Sequence, residues 1–116
     1  MALDRALLEG VGIDVEDGLH RFLNNEDLLV RFLKKFPADE SYNQLVAGLE
    51  SGNVEEAFRA AHTLKGLCGN LSMNVLQKIV AEQVEFLRAG DIEGGAKMMP
   101  QVTAEYEKIM AVIATL

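Results

Sequence analysis

The sequence predicts an all-α protein, an antiparallel four-helix bundle with additional short N-terminal helices. Three observations lead there. Apolar residues recur at helical spacing, and no segment alternates with the period of two that a half-buried strand shows. Glycine, asparagine, aspartate and proline punctuate the chain at short joints between the periodic runs. Only two prolines and few aromatics stand against many Leu, Ala and Glu. Helices apolar on one side and joined by short loops pack as antiparallel neighbours.

Leu3, Leu7 and Leu8 predict a short first helix that ends at Gly10, followed by the turn Gly10-Val11-Gly12. Asp14 is placed to cap a second short helix through Phe22 and Leu23. Asn24 and Asn25 interrupt it, and Glu26 and Asp27 are first-turn acids for a helix to about Phe36. Its buried face is predicted as Leu29, Phe32, Leu33 and Phe36, with Pro37 breaking or kinking it. These N-terminal helices span about 3–36, and the bundle core spans about 39–115 of a single domain, 1–116.

The first bundle helix, about 39–51, is predicted to be capped by Asp39, with Tyr42, Leu45, Val46 and Leu49 on one face. At Ser51-Gly52-Asn53, Gly52 suits a left-handed terminus, and Asn53 with Glu56 has capping-box spacing. The second helix runs over about 54–69, to Gly69 or Asn70. Asn70 tolerates a left-handed turn, and Ser72 is read as the N-cap of the third helix, about 72–89. That helix buries Leu76, Ile79 or Val80, Val84 and Leu87. Gly90-Asp91 opens the fourth, about 91–115, with Ala96, Met99, Val102, Tyr106, Ile109, Met110 and Ile113 inward. Gly94-Gly95 weakens its start, and Pro100 kinks it or resets its first turn.

Composition removes several classes of function. A formal charge of −7 leaves no basic stripe for nucleic acid. No run of eighteen apolar residues exists to span a membrane. Residues 1–12 carry acids and lack the apolar run of a signal peptide, so a cytoplasmic setting is expected. The single cysteine, Cys68, allows no intrachain disulfide and fits a reducing compartment. A monomer is expected, and Met1 with a complete bundle favours a free-standing protein.

The second bundle helix holds the chemistry. On a helical wheel Val54, Ala57, Phe58, Ala61, Leu64 and Cys68 form one apolar stripe, and His62 lies roughly 120° from its middle. Lys65 at i+3, Gly66 at i+4, Gly69 at i+7 and Arg59 at i−3 share a surface with it. Glycine in a helix interior costs about 1 kcal/mol relative to alanine. Two glycines on the face of the histidine therefore need a reason, and an uncrowded ring is one. An exposed imidazole with a cation beside it suits an anion delivered by a large partner, and phosphate is the obvious anion.

At these residues the chain resembles a family. His62-Thr63-Leu64-Lys65-Gly66, after Ala60-Ala61 and before Asn70-Leu71, is similar to the signature of the histidine-containing phosphotransfer (HPt) domain of two-component phosphorelays. Gly12-Ile13-Asp14 with Gly18-Leu19 and Arg21-Phe22 resembles the family's lead-in, and Gly52-Asn53-Val54-Glu55 and Gly90-Asp91 resemble its joints. The resemblance implies a phosphoryl group carried on His62 and exchanged with the aspartate of a response-regulator receiver domain. It implies Lys65 beside that group, and clearance at Gly66 for the receiver. Arg59 would offset charge on the other side, and Gly69 would add to the docking face. A sensor or hybrid histidine kinase is the other implied partner. Mg²⁺ is expected on the receiver, with no cofactor held by this chain. One position departs: where the family commonly has glycine, ten residues after the histidine, stands Ser72.

Other readings are weaker. No nucleophile or carboxylate lies at i±3 or i±4 from His62 to complete a catalytic set, and no phosphate-cradling loop is present, so the chain reads as a phosphocarrier without autonomous turnover. Cys68 points into the core stripe. His20 has no partner at ligand spacing, no Glu-x-x-His occurs, and no metal site is expected. Met98, Met99 and Met110 read as core filler, and Met73 as either core or docking surface. The alternative is a helical interaction module that docks on a kinase or receiver without being phosphorylated.

Overall fold

A computed structural model of the chain describes residues 3–116. Its helices are α1 (Arg5–Gly10), α2 (Val15–Arg21), α3 (Glu26–Lys35), α4 (Ser41–Ser51), α5 (Val54–Asn70), α6 (Asn74–Arg88), α7 (Ile92–Lys97) and α8 (Met99–Ile113). A 3₁₀ turn at Phe36–Ala38 joins α3 to α4. The all-α expectation holds. Among the described residues extended backbone pairs only at an isolated antiparallel bridge between Ile13 and Met73.

Short polar side chains start five of these helices. Asp4, Asp14, Asn25, Asn53 and Asp91 each accept the N–H three residues on, satisfying a donor the helix itself leaves free. At Asn53 the capping box takes a modified form. The Asn53 N–H already bonds Gly48 O at 2.9 Å, behind the left-handed Gly52 (φ 74°). The Glu56 carboxylate therefore accepts from the Asn53 side-chain amide, at 3.1 Å, while Asn53 Oδ1 accepts the Glu56 N–H.

The core runs through Leu29, Leu33, Leu45, Ala57, Ala61, Leu64, Leu76, Val80, Val84, Val102 and Ile109, all buried. Helix α5 packs between α4 and α6, and α6 carries α7 and α8 on its other side. The molecule is elongated, 43 × 22 × 21 Å. Tyr42 on α4 stacks on Tyr106 of α8 at 3.8 Å and shares a hydrogen bond with Thr103. Met73 is fully buried, which settles it as core.

Several expectations need correction. Phe32 is 39% exposed and Val30 takes its place in the core. The Phe32 ring lies against Phe22, at 5.0 Å, on the wall of a groove of about 810 Å³ between α2, α3 and the end of α5. Asp39 stands one residue outside the cap position of α4, which Glu40 occupies, and its carboxylate accepts the Ser41 N–H at 2.8 Å. The last predicted helix is two, because α7 ends at Lys97 and Pro100 sits in the first turn of α8, where it needs no N–H partner. Ala96 is exposed rather than inward.

The turn after α5 differs most. Asn70 ends the helix, Met73 rather than Ser72 is the N-cap of α6, and Ser72 itself takes the left-handed conformation (φ 56°). Glycine adopts that conformation without steric cost, whereas serine does not. Ser72 is fully buried there, and its hydroxyl donates to Asp17 Oδ2 at 2.7 Å. Its carbonyl accepts the Asp14 N–H at 2.9 Å. The departure from the family pattern thus leaves the backbone turn glycine-like and adds a bond to α2.

Candidate functional site

Helix α5 owes its position to small residues. Ala57, Ala60, Ala61, Leu64 and Cys68 are its buried face, and alanine there lets α4 come close. Gly48 of α4 approaches so nearly that a Cβ on it would stand 2.7 Å from the Ala57 nitrogen. The opposite face is left to solvent. Arg59, His62, Thr63 and Gly66 are exposed and Lys65 is half-buried.

The His62 imidazole stands over its own helix. Helical side chains lean toward the N-terminus, which brings the ring to Phe58 at i−4, with centroids 5.9 Å apart and planes 35° apart. Phe58 is half-buried, packed against the edge of the core, and the Arg88 guanidinium from the end of α6 lies 5.1 Å from its ring. His62 makes no hydrogen bond to a side chain among the described residues. Thr63 turns its hydroxyl back to Arg59 O at 3.0 Å, a common use of threonine inside a helix.

The remaining predicted residues divide. Neither Lys65 nor Arg59 is held in an ion pair among the described residues, so both ammonium and guanidinium are available to an incoming anion. Apart from its own helical turn, nothing lies within 4 Å of where a Cβ on Gly66 would stand. Gly69 is different. A Cβ there would stand 2.7 Å from Gln77 Nε2, so its bare face is covered by α6 rather than open beside His62.

The other reactive groups lie elsewhere. Cys68 is fully buried, and desolvation pushes its thiol up to about 12, which keeps it a protonated, unreactive core residue. His20 is exposed in a shallow hollow lined by Asp14, Glu16 and Asp17. Among the described residues no three His, Cys, Asp or Glu side chains are grouped to hold a metal ion. No helix is long and apolar enough to cross a membrane.

The longest helix of the chain thus bears a solvent-facing histidine, with a lysine and an open glycine one turn on. The sequence model of the Hpt domain matches residues 27–112, most of the chain. The chain belongs to the Hpt domain family. No curated protein and no solved structure matches it. Hpt domains act in histidine phosphotransfer in two-component systems, as phosphocarriers rather than enzymes in general, and they interact with kinases and response regulators. The match begins at Asp27, after α1 and after α2 with its Asp14 cap and Asp17.

Of the two contributors to the surroundings of this Hpt domain's histidine, one escapes a reading of the sequence. Phe58 belongs to the apolar stripe by its position on the wheel, and its i−4 offset already places it next to His62. Arg88 lies on another helix, and no periodicity relates it to position 62.

Proposed function

We propose that this Hpt domain accepts a phosphoryl group on His62 from the aspartyl phosphate of a receiver domain and returns it to the aspartate of another. An imidazole nitrogen lone pair forms the N–P bond as the P–O bond to the aspartate breaks, and the carboxylate leaves with that electron pair. In-line transfer needs positioning and neutralisation of charge, most of which Mg²⁺ and the acidic pocket of the receiver would supply. This chain would bring the nucleophile, the Lys65 cation and clearance at Gly66. It would work as a monomer beside cytoplasmic kinases and receivers.

The observation that carries the reading is the open surface around His62. A phosphoryl group brings roughly two negative charges near neutral pH, by analogy with other phosphorylated side chains. At His62 it meets Lys65 and Arg59, both free of ion pairs among the described residues. At His20 it would meet three carboxylates. Incubating the chain with phosphorylated receivers should give an acid-labile, alkali-stable phosphate, absent from His62→Gln and retained by His20→Gln. His62→Gln should unfold within about 0.5 kcal/mol of the parent, as surface substitutions usually do. Phosphate uptake by folded His62→Gln would overturn the assignment. No uptake by the parent from any receiver or kinase would leave a docking module.

A further inference from the structure

His62 is exposed and free of hydrogen bonds to other side chains among the described residues, so something else must decide where its ring points. A helical histidine has two free torsions and several staggered states open to it. Here one side of the imidazole is taken by the Phe58 ring, 5.9 Å away between centroids. Phe58 is only partly buried and packs against the edge of the core. Beside it lies a hollow of about 240 Å³ lined by Val54, Glu55, Phe58, Leu87, Arg88 and Gly90, so the core does not fill that side of the ring. The Arg88 guanidinium, 5.1 Å from the ring centroid, covers that side. A guanidinium over an aromatic face is held by the ring quadrupole and buries its stem against apolar surface. Arg88 is in turn tethered, loosely, to Glu85 through Nε at 3.4 Å.

We infer that Phe58 and Arg88 are positioning residues for His62, Arg88 from α6 holding Phe58 against the imidazole so that the ring presents its reacting nitrogen outward. The inference rests on His62 being the phosphoacceptor, but the tilted ring contact itself is a property of the unphosphorylated chain. Orientation matters because an in-line displacement proceeds from a narrow range of approach geometries, and freedom in the nucleophile lowers the fraction of productive encounters. Arg88 does not touch the receiver in this role. It acts through Phe58.

Three variants test it: Arg88→Ala, Arg88→Lys and Phe58→Leu, the last keeping apolar volume while removing the ring. Two readouts are needed. The first is the chemical shift of the His62 ring protons, which a neighbouring aromatic face displaces. Phe58→Leu should return them toward the values of an unstacked histidine, Arg88→Ala should move them part of the way, and Arg88→Lys should hold them. This readout requires no phosphate, so it stands even where phosphotransfer fails. The second is the maximal transfer rate at saturating phosphorylated receiver. Cation–aromatic attraction at an exposed site implies a loss of about two- to fivefold for Arg88→Ala, with Arg88→Lys near parental. Unchanged ring shifts in Phe58→Leu overturn the ring contact. Shifts that move while the maximal rate does not overturn the positioning role. A change confined to the receiver concentration for half-maximal transfer would make Arg88 a docking contact instead. Should Phe58→Leu unfold, Arg88→Ala with its lysine rescue carries the same decision.

Discussion

Gly66 and Ser72 each occupy a place where the residue type is set by what surrounds it, and they answer to different demands. At Gly66 nothing in the fold asks for glycine, because space beyond its own helical turn is open. Alanine there should therefore stabilise the chain by about 1 kcal/mol, through helix propensity and a less flexible unfolded state. If the open space belongs to a docked receiver, Gly66→Gln should keep the parental fold and lose most of the phosphotransfer. Thermal unfolding beside a transfer assay checks both, and parental transfer by Gly66→Gln would end the clearance argument. At Ser72 the fold does ask for glycine. The left-handed φ of 56° strains any side chain, and the hydroxyl bond to Asp17 offsets that strain. Ser72→Ala keeps the strain and loses the bond, while Ser72→Gly loses both. Ser72→Gly should be the more stable of the two by about 1 kcal/mol in denaturant unfolding. Equal stabilities would mean that the turn relaxes when the bond is removed.

Among the helices the decisive contact is between α4 and α5. Gly48 has its Cβ direction filled by the backbone of Ala57, which cannot move aside as a flexible side chain can. Gly48→Ala should force the two helices apart and cost about 1–3 kcal/mol, the usual cost of overpacking. The same substitution thus has opposite signs at Gly48 and Gly66, and calorimetry on the pair tests the packing model directly. A gain in stability from Gly48→Ala would show that α4 can slide on α5. The wheel turns Gly66 outward, but the close approach of Gly48 to Ala57 is not legible in the sequence. What the sequence does carry is local. The caps at Asp14 and Asn53, the left-handed Gly52 and the inward stripe of α5 follow from chemistry within a few residues. The outward direction of His62, with Lys65 and Gly66 one turn on, follows from the same helical wheel. Features decided by another element were not legible. Phe32 turns to a groove wall because Phe22 lies there, Gly69 is covered by Gln77, and Gln83 is buried to reach the Gly95 carbonyl at 3.0 Å. A polar residue that bridges α6 to α7 looks, from spacing alone, like one more solvated position.

At the scale of the molecule, the N-terminal helices are held to the turn that follows the histidine helix, and Asp17 is the polar centre of that attachment. Its carboxylate accepts from Arg21 Nε at 2.9 Å and from the Ser72 hydroxyl at 2.7 Å. The backbone bond from Asp14 to Ser72 and the close approach of Gly12 to Val75 lie alongside. The Arg21 bond first, and the Ser72 bond second, hold the Asp17 carboxyl below its ordinary value of 3.8. A carboxyl depressed in the folded state contributes stability that is fully present above its unfolded value. That contribution is lost as pH falls through the lower, folded one. Other carboxylates of this acidic chain titrate in the same range, so the comparison must be made against a chain that differs only here. Asp17→Asn removes the titrating group while keeping an acceptor. The parent should unfold at a higher temperature than Asp17→Asn at neutral pH, and the gap should begin to close only below about pH 4. Hydrogen exchange in α2 should follow the same course, because the bonds that weaken are the Arg21 bond within α2 and the Ser72 bond that fastens α2 to the turn. No gap at neutral pH would assign the attachment to the backbone bridge and the apolar contacts and leave Asp17 an ordinary surface acid, and a gap constant down to about pH 2 would show that it does not come from the ionised carboxylate.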